Sequence, residues 1–375
     1  MHASIGGDWR GVMGGAESAN LPEVVLPADS RFPTVGPLEF DGWRVDFSAV
    51  RECLHRPLPE PLQLRNEISR AQVSLAGALS SPLTEQRSSS SAEQILLEHL
   101  EDEHAAEVEK YVVYDKYFGV TRSQHYGAAD LARQVSLTIS RTLEDLADAI
   151  IDVDEFGAIV DVSELLLRYC AGGAEAGSEN GQSDISPSLK DPMYRWRVGH
   201  HFFAFSALMC RHALEAIAGR DPLSLQETVN LLADARISLR GTTAAMRYGA
   251  NMSQQAYRDT VRPSMEAAWP GGFSGTQHLD YERLKRTREA ALERLLREHG
   301  KSPSDWPAEV RVAFGAFCET ELEDLEQHTL LAASKVGTGS SLLAEATGGS
   351  GALAAVKQLR SMAVKRQRDL AKYLV

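Results

Sequence analysis

The stretch Glu326-Gln327-His328-Thr329-Leu330-Leu331 lies near the end of a strongly periodic segment and decides how this chain is interpreted. Apolar and small residues recur at three- and four-residue spacing there: Phe314, Cys318, Leu322, Leu325, Thr329 and Ala332. This spacing predicts a helix over residues 307–336 with one apolar face, which His328 flanks. A histidine on such a face can hold a haem iron from one side. A core histidine satisfied by a backbone carbonyl is the alternative.

Two glycine-rich stretches follow this helix, Gly337-Thr338-Gly339-Ser340-Ser341 and Thr347-Gly348-Gly349-Ser350-Gly351. A last helix is predicted over residues 352–373. Neither stretch continues into Gly-Lys-Ser/Thr and neither follows a predicted strand, which disfavours a P-loop. Small residues suit a loop that closes over a ligand, and an ordinary connection between helices is the alternative.

Composition and charge restrict the classes of partner. The chain has 375 residues and a formal charge of −13, which disfavours nucleic acid and anionic membranes. No apolar run reaches membrane-spanning length, and from the first residues we expect no secretory signal, because they lack a basic start followed by an apolar segment. Its cysteines form no CxxC pair, which indicates a reducing cytoplasm without a cysteine zinc site. The CxxCH signature is also missing, so any haem would be held non-covalently.

Helical periodicity along the chain, without a run of alternating strands, predicts an all-α fold. We expect an irregular N-terminal arm over residues 1–40, a small helical domain over 41–170 and a large helical domain over 195–375. A small, polar segment over 171–194 is the predicted linker. The other predicted helices cover residues 61–79, 93–114, 128–151, 162–169, 200–218, 223–248 and 281–299.

The dipeptide Arg262-Pro263 predicts the end of a helix, because the residue before a proline avoids the α region. An arginine at a helix end beside a glycine-rich loop can form a bidentate pair with a substrate carboxylate. A surface ion pair in an acidic protein is the alternative for Arg262.

Two Glu-x-x-His matches suggest a second kind of site, a di-iron centre built from Glu52, His55, Glu101 and His104. With 52 acidic residues and 11 histidines in the chain, chance matches of this kind are expected. A third hypothesis, based on the acidic charge and the long linkers, is a non-catalytic helical interaction module.

Four segments, in this order, resemble the haem-dependent aromatic oxygenase superfamily, which includes the indoleamine and tryptophan 2,3-dioxygenases and the ring-rearranging enzyme of pyrrolnitrin biosynthesis. The segments are His201-Phe202-Phe203-Ala204-Phe205-Ser206, Ala256-Tyr257-Arg258-Asp259-Thr260-Val261-Arg262-Pro263, Gly271-Gly272-Phe273-Ser274-Gly275-Thr276-Gln277, and His328 with the Thr347-Gly348-Gly349 loop. They resemble the family's distal helix, its substrate-carboxylate segment, its loop beside a haem propionate, and its proximal histidine with a closing loop. The resemblance implies an indoleamine 2,3-dioxygenase-like haem-binding domain over 195–375.

The same resemblance implies roles for individual residues. His328 would ligate the iron of a non-covalent haem b, with Gly272, Phe273 and Ser274 at the haem edge. Substrate-binding or catalytic roles fall to Phe202, Phe203, Ser206, Tyr257, Arg262, Thr347 and Gly348. Arg262 would hold an α-carboxylate, Thr347 would close over the amino-acid end, and Ser206 would hydrogen-bond or pack beside bound dioxygen. Phe273 replaces a family serine, and Arg258 replaces a family aromatic residue.

The implied function is a cytoplasmic haem-dependent oxygenase that uses O2 on tryptophan or a related indolic or aromatic amino acid in secondary metabolism. Ring cleavage, hydroxylation and rearrangement all stay open as outcomes. No nucleic-acid or membrane partner is expected, and a homodimer stays open as the oligomeric state.

Overall fold

The computed structural model describes residues 21–33, 47–54, 66–68, 70–71, 108–146, 152–170, 192–269, 273 and 277–336, with the single positions 361, 364, 365 and 368. Within these ranges the protein is helical apart from one two-stranded sheet. The predicted all-α fold class is therefore confirmed.

The described part of the chain contains the following α-helices and strands with assigned bounds. In order they are β1 (Val24–Pro27), α1 (Ser48–Leu54), α2 (Val108–Phe118), β2 (Val120–Ser123), α3 (Ala128–Leu146), α4 (Val153–Cys170), α5 (Pro192–Gly219), α6 (Leu225–Gly249), α7 (Gln254–Ala256), α8 (Arg262–Ala268), α9 (Leu279–His299) and α10 (Ala308–Val336). A π-helical turn, Tyr257–Val261, joins α7 to α8, and a 3₁₀ turn, Pro303–Asp305, precedes α10. Four predicted helix starts, at 128, 223, 281 and 307, lie within two residues of the observed starts.

Helix α5 is the central element, and every residue of its apolar run, 202–210, is buried. The helix begins at Pro192, so its first turn lies inside the predicted linker and eight residues before the predicted start at 200. Proline suits the first turn of a helix. The first turns of α5 carry buried charged residues, which interrupt the apolar pattern that marks a buried helix face. Arg195 can be buried there because it donates from Nε to Asp145 at 2.5 Å and forms an ion pair with it.

Helices α5 and α6 approach each other at positions that have no side chain. A Cβ atom on Gly199 of α5 would lie 2.6 Å from the Cα atom of Gly249 of α6. A Cβ atom on Gly241 of α6 would lie 2.8 Å from Cγ1 of Val162 of α4 and 3.1 Å from Oγ of Ser206 of α5. Glycine at these positions therefore allows α4, α5 and α6 to pack in direct contact.

One apolar core contains residues from both sides of the predicted linker. It includes Val162 and Leu166 of α4, Phe205 of α5, Leu239 of α6 and Phe317 of α10. The predicted division of the chain at 171–194 stays a prediction, but the core is continuous across that division.

The two strands pair in parallel, with Val24 opposite Val120 and Leu26 opposite Arg122. Val24 and Leu26 are buried, and the backbone N–H of Val25 donates to Oε1 of Gln134 at 3.2 Å. The predicted N-terminal arm thus contains an ordered, buried strand over Val24–Pro27. Its partner strand lies almost a hundred residues further along the chain. The pairing could therefore not be predicted from the local periodicity of the sequence.

The predicted helix end at Arg262-Pro263 is wrong. Arg262 has α-helical dihedrals of φ −60° and ψ −48°, and the chain continues into α8. The π-helical turn accommodates the proline: the N–H of Arg262 bonds to the carbonyl of Tyr257, five residues earlier. This wider turn relieves the clash between a proline ring and the preceding turn.

Several predicted features lie wholly or mostly outside the described residues. They are the helices over 61–79, 93–114 and 352–373, both glycine-rich stretches after α10, and most of the linker; the described part of the second, 108–114, is helical. Among the described helices, none combines the length and the apolarity needed to cross a bilayer.

Candidate active site

His328 lies near the end of α10, and its side chain is half-buried. Burial lowers the pKa of His328, and the positive charge of Lys285 lowers it further. The imidazole is therefore neutral at pH 7. It has no hydrogen-bond partner in the part of the chain that the structure describes, so its nitrogens are available to a ligand, as metal binding requires.

His200 of α5 is a second neutral imidazole close to His328. Burial, together with smaller contributions from His278, His201 and His328, lowers the pKa of His200 to about 3. The ring stacks on Phe118 with centroids 3.8 Å apart, and its Nδ1–H donates to the carbonyl of Trp196 at 2.7 Å.

A cluster of aromatic rings adjoins His200. Its members come from α2, α5 and the segment before α9, and they are Tyr114, Tyr117, Phe118, Trp196, Phe203 and Phe273. Tyr114 contacts His200 at 6.3 Å, Phe273 at 5.6 Å and His278 at 5.1 Å between ring centroids. We refer to these rings, together with His200 and His278, as the aromatic cluster. The faces of its rings are apolar, and their edges carry the imidazole, hydroxyl and indole groups.

His278 closes the aromatic cluster at the start of α9. Its Nδ1 accepts the N–H of Tyr281 at 3.3 Å and so caps the helix. An accepting Nδ1 carries no proton, so the proton of the neutral ring lies on Nε2. Burial lowers the pKa of His278 to about 4, although the Asp280 charge works against this shift.

A buried ion-pair network fixes the first turn of α9. Arg122 of β2 donates from Nε to Asp115 at 2.8 Å and from Nη1 to Asp280 at 2.9 Å, and all three side chains are buried. Burial works against ionisation of Asp280, but the Arg122 charge holds the pKa of that carboxyl below its usual range. The network therefore ties α2, β2 and α9 together beside His278.

A buried acid lies one helical turn before His328. Oδ1 of Asp324 accepts from Thr243 at 2.6 Å, and Oδ2 accepts from Tyr281 at 3.4 Å. Burial raises the pKa of Asp324 to about 6, although these hydrogen bonds work against the rise. Residues four apart share a helix face, so Asp324 and His328 project toward the same side of α10.

The predicted distal residues of α5 occupy different places. Phe203 lies in the aromatic cluster, 5.0 Å from His278 and 5.5 Å from Tyr281 between centroids. Phe202 is fully buried in the main apolar core. Ser206 is also fully buried, its hydroxyl donates to the carbonyl of Phe202 at 2.9 Å, and it packs against α6. This placement gives Ser206 a packing role between two helices.

Tyr257 and Arg262 are brought together by the π-helical turn. In an α-helix, residues five apart would lie about 140° apart around the axis. The five-residue hydrogen-bonded turn instead places one above the other. Burial raises the pKa of Tyr257 and the nearby Arg262 charge lowers it. The Tyr257 ring lies 6.3 Å from Trp196 of the aromatic cluster, whereas Arg258 is exposed.

The loop predicted to lie beside the haem is described only at Phe273. This ring contacts Tyr117 at 4.8 Å and Phe118 at 5.8 Å between centroids, so it belongs to the aromatic cluster. Gly272 and Ser274, and likewise Thr347 and Gly348, lie outside the described residues.

The di-iron site can be followed only at Glu52, which is exposed on α1. His55, Glu101 and His104 lie outside the described residues. Within the described ranges, no three His, Cys, Asp or Glu side chains are grouped as they would be around a metal ion.

Two histidines of the site, His200 and His278, were not among the residues predicted from the sequence. His200 precedes the recognised motif by one residue and shares a helix face with Phe203, three residues later, so helical spacing could have found it. His278 caps a helix, and histidine is not among the favoured capping residues, so the sequence carried no signal for its position.

The described residues therefore form an all-α fold in which neutral imidazoles adjoin a cluster of aromatic rings. The sequence model of the SfmD 3-methyl-L-tyrosine peroxygenase family matches residues 53–310. This match covers more than half of the chain, so the chain belongs to that family. It is an enzyme, an oxidoreductase. The hypothesis of a non-catalytic interaction module is thereby overturned.

The other comparisons add one structure. The crystal structure of reduced SfmD, obtained by soaking with sodium hydrosulfite, is 20% identical with a TM-score of 0.44. The alignment covers 82% of this chain and 98% of that one. No curated protein sequence matches the chain. The family match contains His200 and His278 and ends before His328. The family match supports the superfamily that the sequence motifs resemble. It does not support tryptophan as the substrate.

Proposed function

We propose that this chain is a haem-dependent peroxygenase that hydroxylates a tyrosine-type aromatic amino acid, with hydrogen peroxide in place of O2 as the oxidant. One peroxide oxygen enters a ring C–H bond, and the other leaves in water. The observation that carries the proposal is the neutral imidazole of His328, which lies near the aromatic cluster and has no hydrogen-bond partner among the described residues. The family, whose name refers to 3-methyl-L-tyrosine, supports a phenolic substrate.

The residues present fit a haem. Ligation needs a neutral imidazole with a free nitrogen, and His328 meets both conditions within the described residues. Apolar rings such as Phe203 and Phe273 offer the surroundings that a macrocycle needs. When bound, the haem would supply the oxygen-transfer chemistry, while the protein supplies binding and orientation. We also assign Gly272 and Ser274 to the haem edge, as the resemblance implies.

The substrate would be held at two ends. Arg262 is half-buried beside Tyr257, where a guanidinium can pair with the α-carboxylate of an amino acid. Thr347 and Gly348 would close over the same end, as the resemblance implies. Phe203 would pack against the substrate ring, whereas Phe202 and Ser206 would support α5 from within the core. We place the reaction in secondary metabolism.

The proposal is tested with the purified full-length chain after reconstitution with haem. We expect a Soret band that the His328→Ala variant loses and that the His212→Ala variant keeps, because His212 contacts Phe32 and Tyr169 in another part of the fold. With hydrogen peroxide, 3-methyl-L-tyrosine should gain the mass of one oxygen atom.

Two results would contradict the proposal. One is a chain that takes up no haem, and the other is a haem-loaded chain that leaves phenolic amino acids unchanged in the presence of peroxide. Two bound irons per chain without porphyrin absorption would instead favour the di-iron site at Glu52 and His55.

A further inference from the structure

His200 has one nitrogen whose protonation is fixed by the fold. Its Nδ1 lies 2.7 Å from the carbonyl oxygen of Trp196. A carbonyl oxygen can only accept, so Nδ1 carries the proton and donates it. Burial keeps the ring neutral by lowering the pKa of His200 to about 3. A neutral imidazole with a protonated Nδ1 has a bare lone pair on Nε2.

The ring of His200 is held in one orientation by its neighbours. Phe118 stacks on it with an interplanar angle of 17°, and Trp196 meets it edge-on at 4.4 Å between centroids. The hydrogen bond to the Trp196 carbonyl fixes the remaining rotation of the ring. The Nε2 lone pair therefore has a fixed direction, and within the described residues it has no hydrogen-bond partner.

Three neighbouring polar side chains are already hydrogen-bonded. Nε2–H of His201 donates to the carbonyl of Phe118 at 2.6 Å. The carboxylates of Asp280 and Asp324 accept from Arg122 and Thr243, respectively. Among the described residues, Nε2 of His200 is therefore an acceptor without a partner that a ligand hydroxyl in the aromatic cluster could meet.

We infer that His200 is a specificity-determining residue whose Nε2 accepts a hydrogen bond from the phenolic hydroxyl of the substrate. This inference rests on the proposed function and names the group that recognises the substrate's hydroxyl. The phenol is the right kind of partner, because its ring matches the apolar faces of Phe118 and Phe203 and its O–H supplies the missing donor. A site with a buried, unpaired acceptor discriminates against an analogue that lacks the donor.

The test compares two ligands that differ only in that hydroxyl, 3-methyl-L-tyrosine and 3-methyl-L-phenylalanine. Binding of each to the haem-loaded full-length chain is measured by calorimetry, so that the readout is independent of turnover. The wild-type chain should bind the phenol about tenfold more tightly, as expected for one hydrogen bond in a desolvated site. His200→Phe keeps a ring against Phe118 and removes the acceptor, so this variant should bind the two ligands about equally.

Controls separate recognition from a structural role. His212→Phe makes the same chemical change near Phe32 and Tyr169, and it should keep the tenfold preference. If His200→Phe does not fold, as judged by circular dichroism, His200→Leu removes the same lone pair. A merely structural His200 would weaken both ligands equally, and an unchanged preference in the variant would overturn the inference while leaving the proposed function intact. A wild-type chain that binds neither ligand would overturn both.

Discussion

Gly199 of α5 and Gly249 of α6 bring two helix backbones into contact, since a Cβ atom on Gly199 would meet both Cα and N of Gly249 within 2.9 Å. Trp196 and His200 flank Gly199 on α5. The contact therefore fixes the height and rotation of the helix turn that carries two members of the aromatic cluster. A small shift at this crossing would be transmitted directly to the candidate site.

Replacement of Gly199 by alanine should be costly for that reason. The new methyl group meets backbone atoms, which cannot rotate away, so the helices must separate. We expect Gly199→Ala to lower the free energy of unfolding by about 2 kcal/mol, as measured by chemical denaturation, even though alanine favours the helical state.

Gly157 of α4 is the matched control for this substitution. A Cβ atom there would meet nothing within 4 Å, so Gly157→Ala keeps only the gain in helix propensity. That variant should be more stable than the wild-type chain by about 0.5–1 kcal/mol. Equal stabilities for the two variants would show that the α5–α6 crossing is not as close as described.

Arg122→Met should be among the most destabilising single changes in the chain. It leaves the carboxyl groups of Asp115 and Asp280 buried without their cation. Loss of one partner from a buried network costs about 3–5 kcal/mol. Arg70→Met removes an exposed arginine that pairs with Glu67, and it should cost less than about 1 kcal/mol by the same denaturation measurement.

The cost of Arg122→Met should also depend on pH in one direction. The pKa of Asp280 is depressed in the folded protein, because Arg122 offsets the effect of burial. A depressed pKa contributes stability above the unfolded value of about 4, and that stability is lost as the pH falls. The difference between wild type and variant should therefore shrink below about pH 4. A difference that stays constant from pH 7 to pH 3 would argue against an ionic role.

Arg262→Ala tests the proposed carboxylate contact. Loss of a charge-assisted pair should weaken binding of an aromatic amino acid by about 2 kcal/mol, or roughly thirtyfold, in calorimetry. The decarboxylated amine should bind both chains equally. Arg258→Ala, on the exposed side of the same π-helical turn, provides the control and should bind the amino acid as the wild type does. An equal loss for amine and amino acid would assign Arg262 to structure.

The bounds of a helix could be predicted from the sequence where its buried residues recur with a single helical period. The periodic apolar positions of α10 gave its bounds to within one residue and placed His328 beside the inward face. Helix α5 was harder to delimit, because its first turns bury Arg195 and Arg197, and those charges break the apolar pattern. Paired burial of an arginine depends on a partner such as Asp145, which is fifty residues away in the chain.

The parts of the site that escaped prediction depend on contacts between distant segments. The π-helical turn before Arg262 changes which residues face the aromatic cluster. The extra residue in this turn could not be recognised from the sequence, because five positions are too few to show a change of period. The tautomer of His278 follows from the amide of Tyr281, and that of His200 follows from the carbonyl of Trp196. Such protonation states become visible only when the hydrogen-bond partners are known.

The absence of a side chain at Gly241 leaves a notch on the surface of α6. The residues that fill this notch determine how the two parts of a divided chain would behave. Val162 of α4 fills the notch from the N-terminal side of residues 171–191, and Ser206 of α5 meets it from the C-terminal side. If the chain were cut within residues 171–191, each of the two polypeptides would expose an apolar surface that is complementary to the other polypeptide. Co-expressed halves should reassemble by complementation, whereas either half alone would be prone to aggregate.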